Sequence, residues 1–143
     1  MLANVSYNNP EVCLKIDALV GKPFTLRERW NMGGIGSPRL VIRESSAEIR
    51  NLLLLDNNRN TCNIELRPGG IILGFRSLLE SFALIVPYYK LSILKGDLGV
   101  YTIHKDQYFV RVEADTRAAQ QFFVKMLGLK AVWQAPGSEK KGA

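Results

Sequence analysis

Chemistry in this chain would have to come from few residues. His104 is the only histidine, and a catalytic imidazole needs a nucleophile or an orienting carboxylate beside it. Asp106 is close in sequence, but both residues fall in a predicted surface turn at 104–107. Asp97 and Asp106 lack the context of a working carboxylate pair. Cys13 and Cys62 are too few for a disulfide framework, and their spacing fits no metal motif. Both are expected as reduced thiols, Cys62 inside a strand. Gly33-Gly34-Ile35-Gly36-Ser37 could offer amides to an anion. It lacks the lysine and following helix of a phosphate loop, so it reads as a flexible connector. The expectation is a protein that is not an enzyme and takes no cofactor or metal.

Two groups could bind rather than react. Lys22, Arg27 and Arg29 lead into Trp30. On a strand over residues 24–30, Phe24, Leu26, Glu28 and Trp30 share one face, while Thr25, Arg27 and Arg29 share the other. The two guanidiniums would then converge on an anionic headgroup through bidentate hydrogen bonds. The plainer reading is a solvated strand face. Pro87, Tyr88 and Tyr89 form the second group. Proline stops strand pairing, so the two rings either project at a sheet edge as interface anchors, or divide between the core and a loop.

The elements that position these residues are mostly strands. Alternation predicts strands at 39–43, 61–67, 71–75, 82–86, 90–94, 100–104 and 108–113. Turns are predicted at Pro68-Gly69-Gly70 and at 95–99, and residues 76–81 read as a connector with room for one helical turn. Residues 49–55 read as a strand running into the turn 56–60, although Ser45 and Glu48 have capping-box spacing and a helix stays open. The 12/16/19/20 spacing favours a helix ending at Gly21, with a strand as the alternative. Asp115 is placed to cap a final helix over 115–129. Its apolar stripe is Ala118, Ala119, Phe122, Phe123, Met126 and Leu127, with Gly128 at its end. Alanine at Phe122 or Leu127 is expected to cost about 2–5 kcal/mol. The organisation is an N-terminal segment 1–21, one β-rich domain over 22–133, and a flexible polar tail 134–143.

The chain has 143 residues, 47% hydrophobic and 22% charged, with a formal charge of +6. These values suit one soluble domain rather than a disordered chain. The charge permits an anionic partner, but the scattered basic residues do not suggest nucleic acid. No signal peptide or membrane-spanning run is visible, and a cytoplasmic location is expected.

Certain stretches resemble the pleckstrin-homology-like superfold, in particular bacterial PH-like and GRAM-like domains. They are Leu-Ile-Val-Pro-Tyr-Tyr-Lys-Leu-Ser-Ile at 84–93, Val-Tyr-Thr-Ile at 100–103, Phe-Val-Arg-Val at 109–112, and the helix from Asp115. The resemblance spans roughly residues 61–130. It implies a mainly β, α+β protein: an antiparallel barrel or roll closed by the C-terminal amphipathic helix, serving as a non-catalytic binding or assembly module. A protein partner or a second copy is the expected ligand. Peripheral binding of anionic lipid headgroups is the alternative, and a small-ligand barrel a third reading. Phe82, Phe109, Phe122 and Phe123 are expected to fill the barrel.

Overall fold

The computed structural model describes residues 1–54 and 60–133. Eight strands and four α-helices follow in the order β1 (Leu2–Asn4), α1 (Pro10–Val20), α2 (Leu26–Met32), β2 (Leu40–Ser45), α3 (Ala47–Leu54), β3 (Thr61–Arg67), β4 (Gly70–Ser77), β5 (Glu80–Pro87), β6 (Ser92–Lys95), β7 (Val100–Lys105), β8 (Tyr108–Glu113) and α4 (Arg117–Val132). The strands form one antiparallel sheet in the order β1-β5-β4-β3-β2-β8-β7-β6. The fold is therefore α+β with an open sheet. It is not a closed barrel, because β1 and β6 remain as edges.

Period-two alternation sorts the side chains between two faces. Cys62, Ile64 and Leu66 of β3, Ile71, Leu73 and Phe75 of β4, Leu84 and Val86 of β5, and Val110 and Val112 of β8 form the main core with Leu40, Ile42, Tyr101 and Ile103. Helix α4 adds Phe122, Phe123 and Met126, and α3 adds Ile49 and Leu53. Phe123 stacks on Tyr101 with ring centroids 4.1 Å apart. Burying these α4 side chains contributes several kcal/mol at about 25 cal/mol per Å². On the opposite face, Ile16 and Val20 of α1 pack on Ala83 and Ile85. Phe82 and Phe109, expected as filling, are only half-buried.

Several predicted elements change. Residues 24–30 do not form a strand. Thr25 caps α2, with Glu28 N–H donating to Thr25 Oγ1 at 3.2 Å and Thr25 N–H to Glu28 Oε1 at 2.9 Å. The reciprocal bonds satisfy amides that a strand would have left to a neighbour. Residues 47–54 likewise form a helix rather than a strand, with Ile49 and Leu53 buried one turn apart; Leu55 and residues 56–59 of those predictions lie outside the described residues. Residues 76–81 are no connector: β4 and β5 pair through Ser77 and Glu80, and only Leu78 and Leu79 turn the chain. Leu78, Leu98 and Asp106, each in a turn between adjacent strands, are the described non-glycine residues with positive φ.

The last helix begins at Arg117 rather than 115, because Thr116 rather than Asp115 supplies the cap, its Oγ1 accepting from Ala119 N–H at 3.1 Å. It runs through Gly128 to Val132. Ala118 and Leu127 of the predicted stripe face solvent, Leu127 at 40% exposure. The expected helix ending at Gly21 is present as α1. The predicted tail at 134–143 lies outside the described residues.

Gly70 has a steric reason for its identity. A Cβ there would collide with the Val86 carbonyl and the Val20 side chain, so the sheet and the end of α1 approach each other only over a bare Cα.

Candidate functional site

Helix α2 touches the main core only through half-buried Met32 at its end. None of its residues is buried, and Leu26 and Trp30 are 81% and 87% exposed. Four residues apart, they lie one above the other as an apolar ridge. At about 100° per residue, Arg27 falls on one side of this ridge and Arg29 on the other. Lys22 lies just before the helix and is exposed. The expected convergence of Arg27 and Arg29 on one strand face is thus overturned: a helix separates residues two apart. The structure instead sets Arg27 and Arg29 on the two sides of Leu26 and Trp30, which keep the shared face the strand reading gave them but without Phe24 and Glu28, while Lys22 precedes the helix in the chain. The capping-box spacing of Thr25 and Glu28, ahead of Gly33-Gly34, was the available signal.

Local bonds fix the ridge. Arg29 Nε donates to the Phe24 carbonyl at 3.1 Å. Gly33 ends the helix in the left-handed region at φ 74°, which costs glycine little. Lys125 of α4 donates Nζ–H to the Gly34 carbonyl at 3.1 Å. Lys22, Arg27 and Arg29 form no ion pair with another described residue. A shallow recess of about 510 Å³ lies beside the ridge, lined by Leu26, Arg29, Trp30, Gly33 and Gly34.

The loop after α2 is tied down, not a flexible connector. Ser37 N–H donates to Ile64 O and Leu66 N–H to Ile35 O, both at 2.8 Å, and Ser37 Oγ accepts from Ile64 N–H at 2.9 Å.

Pro87, Tyr88 and Tyr89 do not make a free sheet edge. Pro87 pairs with Gly70 at the end of β5. Tyr88 is 2% exposed, and its hydroxyl donates to the Arg67 carbonyl at 3.1 Å. Burial pushes its phenol up to about 12. Tyr89 is 64% exposed, and its ring stacks on Trp133 with centroids 6.0 Å apart. The two rings thus divide between the core and a neighbouring aromatic. The sheet's edges are instead β1 and, just after this segment, β6.

His104 belongs to β7, not to a turn, and is half-buried against Phe109 with ring centroids 5.9 Å apart. Asp106 is engaged by Lys90 at 3.3 Å, and Asp97 lines an open polar recess with Arg43, Glu44, Leu98, Val100 and Arg111. Cys13 is exposed and Cys62 buried, both free thiols. Among the described residues, no group of three His, Cys, Asp or Glu side chains is placed to hold a metal ion, and no helix is long and apolar enough to cross a membrane. No family model, curated protein or solved structure matches this chain.

Proposed function

We propose that the protein is a non-catalytic docking module that seats reversibly on an anionic lipid surface through α2. The observation that carries this reading is the exposure of Leu26 and Trp30 on one ridge between Arg27 and Arg29, with exposed Lys22 just ahead of the helix in the chain. The ridge is convex, so it suits insertion into a soft interface better than capture of a side chain in a pocket. Withdrawing a large apolar side chain from water is worth about 1.5–3 kcal/mol, and each basic residue near an anionic leaflet adds about 1 kcal/mol. Such sums support weak, salt-sensitive attachment rather than permanent anchoring. The resemblance to PH-like and GRAM-like domains belongs to this proposal, as does a cytoplasmic location. Its support is an antiparallel sheet whose first long strand, β2, pairs with its last, β8, followed by one helix laid across the core face.

Sedimentation with phosphatidylcholine vesicles, with and without phosphatidylserine, tests the reading. Binding should require the anionic lipid, fall as salt rises, and be lost in Trp30→Ser and in the Arg27→Glu/Arg29→Glu pair. Wild-type protein that stays in the supernatant at low salt defeats it.

The reading of a protein partner or second copy keeps one specific support, the unpaired edge of β6. Such an edge can accept another strand, although four residues ending in Lys95 give short and guarded purchase. Light scattering that stays at the monomer mass through micromolar concentrations removes self-association. The small-ligand barrel loses its basis, because the sheet is open and its core face is packed with side chains.

A further inference from the structure

We propose that Lys125 is a positioning residue for the α2 face, holding the ridge in its docking orientation from the platform of α4; this rests on the docking reading above. Helix α2 contributes no buried residue of its own. Its cap bonds are internal, running between Thr25 and Glu28, and the Arg29 bond to Phe24 is internal to the same segment. Its own last residue, Met32, and the flanking Phe24 and Ile35 are half-buried against the main core. Among the described residues, the one side chain from elsewhere in the fold that hydrogen-bonds residues 22–34 is Lys125. Its Nζ lies 3.1 Å from the Gly34 carbonyl and 3.5 Å from that of Gly33.

The chemistry suits this task. The Gly33 and Gly34 carbonyls lie just past the last turn of α2, and an ammonium there meets the negative end of the helix dipole. Lys125 itself sits on a fixed support, because its neighbours Phe122, Phe123 and Met126 are buried in the core. A seven-residue helix is too short to persist alone in water. A tether at its C-terminal end therefore governs both its order and the direction of its apolar ridge. The same ammonium places a positive charge at the C-terminal end of α2.

Hydrogen exchange and vesicle binding on the full chain test the proposal, with Lys125→Met, Lys125→Arg and the control Lys130→Met. The control removes the same charge from the same helix without touching α2. Lys125→Met should speed amide exchange in residues 26–34 roughly fivefold, the effect of one net hydrogen bond, while exchange in β3 and β4 stays unchanged. Its affinity for vesicles containing phosphatidylserine should fall further than that of Lys130→Met, and Lys125→Arg should restore slow exchange. Unchanged exchange in α2 for Lys125→Met overturns the proposal. So does faster exchange with an affinity equal to that of Lys130→Met. Wild-type protein that ignores the vesicles defeats the docking reading instead, and the exchange data then still decide whether Lys125 orders α2.

Discussion

The guanidinium of Arg67, at the end of β3, reaches the carboxylate of Asp17 on α1 at 3.2 Å. The same side chain donates to the Gly21 carbonyl at 2.9 Å and to Glu65 at 2.6 Å, while its own carbonyl receives the Tyr88 hydroxyl. One nearly buried cation thus fastens α1 to the sheet. Arg67→Met should lower stability by about 2–4 kcal/mol, because it strands partners in a poorly solvated place. Asp17→Asn should cost less, since the bonds to Gly21 and Glu65 remain. Urea midpoints of the two variants check the order.

Phe123 is fully buried against Tyr101, whereas Leu127 is 40% exposed. Phe123→Ala should cost about 3–5 kcal/mol and Leu127→Ala less than about 1 kcal/mol. The expectation that Leu127 matters as much as Phe122 is thereby corrected. Thermal melts of the two variants should differ by many degrees.

The two thiols should behave differently. Burial pushes the Cys62 thiol up to about 12, so almost no thiolate forms near neutrality. Cys13 is exposed. An aromatic disulfide reagent at pH 8 should titrate one thiol quickly and the second only after unfolding. Two rapid equivalents in the native state contradict this placement.

Alkaline pH should weaken the fold through Tyr88. Its folded pKa is raised from 10 to about 12, so its stabilising contribution is complete below pH 10. It is lost as pH rises from 10 to 12, because the unfolded chain releases the proton first. The loss runs at about 1.4 kcal/mol for each pH unit in that window. Cys62 acts in the same direction from pH 9 upward. Tyr88→Phe should flatten the fall in urea midpoint above pH 10 relative to wild type.

Gly70→Ala tests the close approach of α1 and the sheet. The added methyl meets the Val86 carbonyl and the Val20 side chain, and backbone cannot yield as a side chain tip can. A loss of about 2–4 kcal/mol is expected, with near-normal stability for Gly128→Ala, where nothing lies within 4 Å of the new methyl.

The sequence disclosed the strands whose two faces differ. Cys62, Ile64 and Leu66 alternate with Asn63, Glu65 and Arg67, and β3 lies where they place it. It misled where apolar residues are not buried. Leu26 and Trp30 face water, so their spacing carries no record of a core, and they fit a strand as readily as a helix. Only the Thr25–Glu28 cap distinguished the two. In α3 the helical spacing of Ile49 and Leu53 was visible and kept a helix open, but the run of leucines favoured a strand. At Leu78 and Leu79 an apolar hairpin tip concealed the turn, since turn chemistry normally shows as glycine or asparagine. The basic residues of the candidate face were legible as a group, but their geometry depended on the helix.

The pairing of β2 with β8, from Val41 opposite Glu113 to Ser45 opposite Val110, has a kinetic consequence. The ladders β3–β4, β4–β5, β6–β7 and β7–β8 join strands adjacent in the chain, and such hairpins zip in about 1–10 μs. The β2–β8 ladder, with β2–β3 on the other side of β2, joins the two groups within the sheet. It can form only after a much longer stretch of chain has looped back, and the loop entropy is lost before any of its hydrogen bonds form. Refolding should therefore show two preformed meanders waiting on this late seam, with the β1–β5 ladder, from Leu2 opposite Leu84, a second long-range closure at the sheet's edge. The rate of that closure, not the formation of the hairpins, sets how long the unpaired margins of β2 and β8 stay open to other chains.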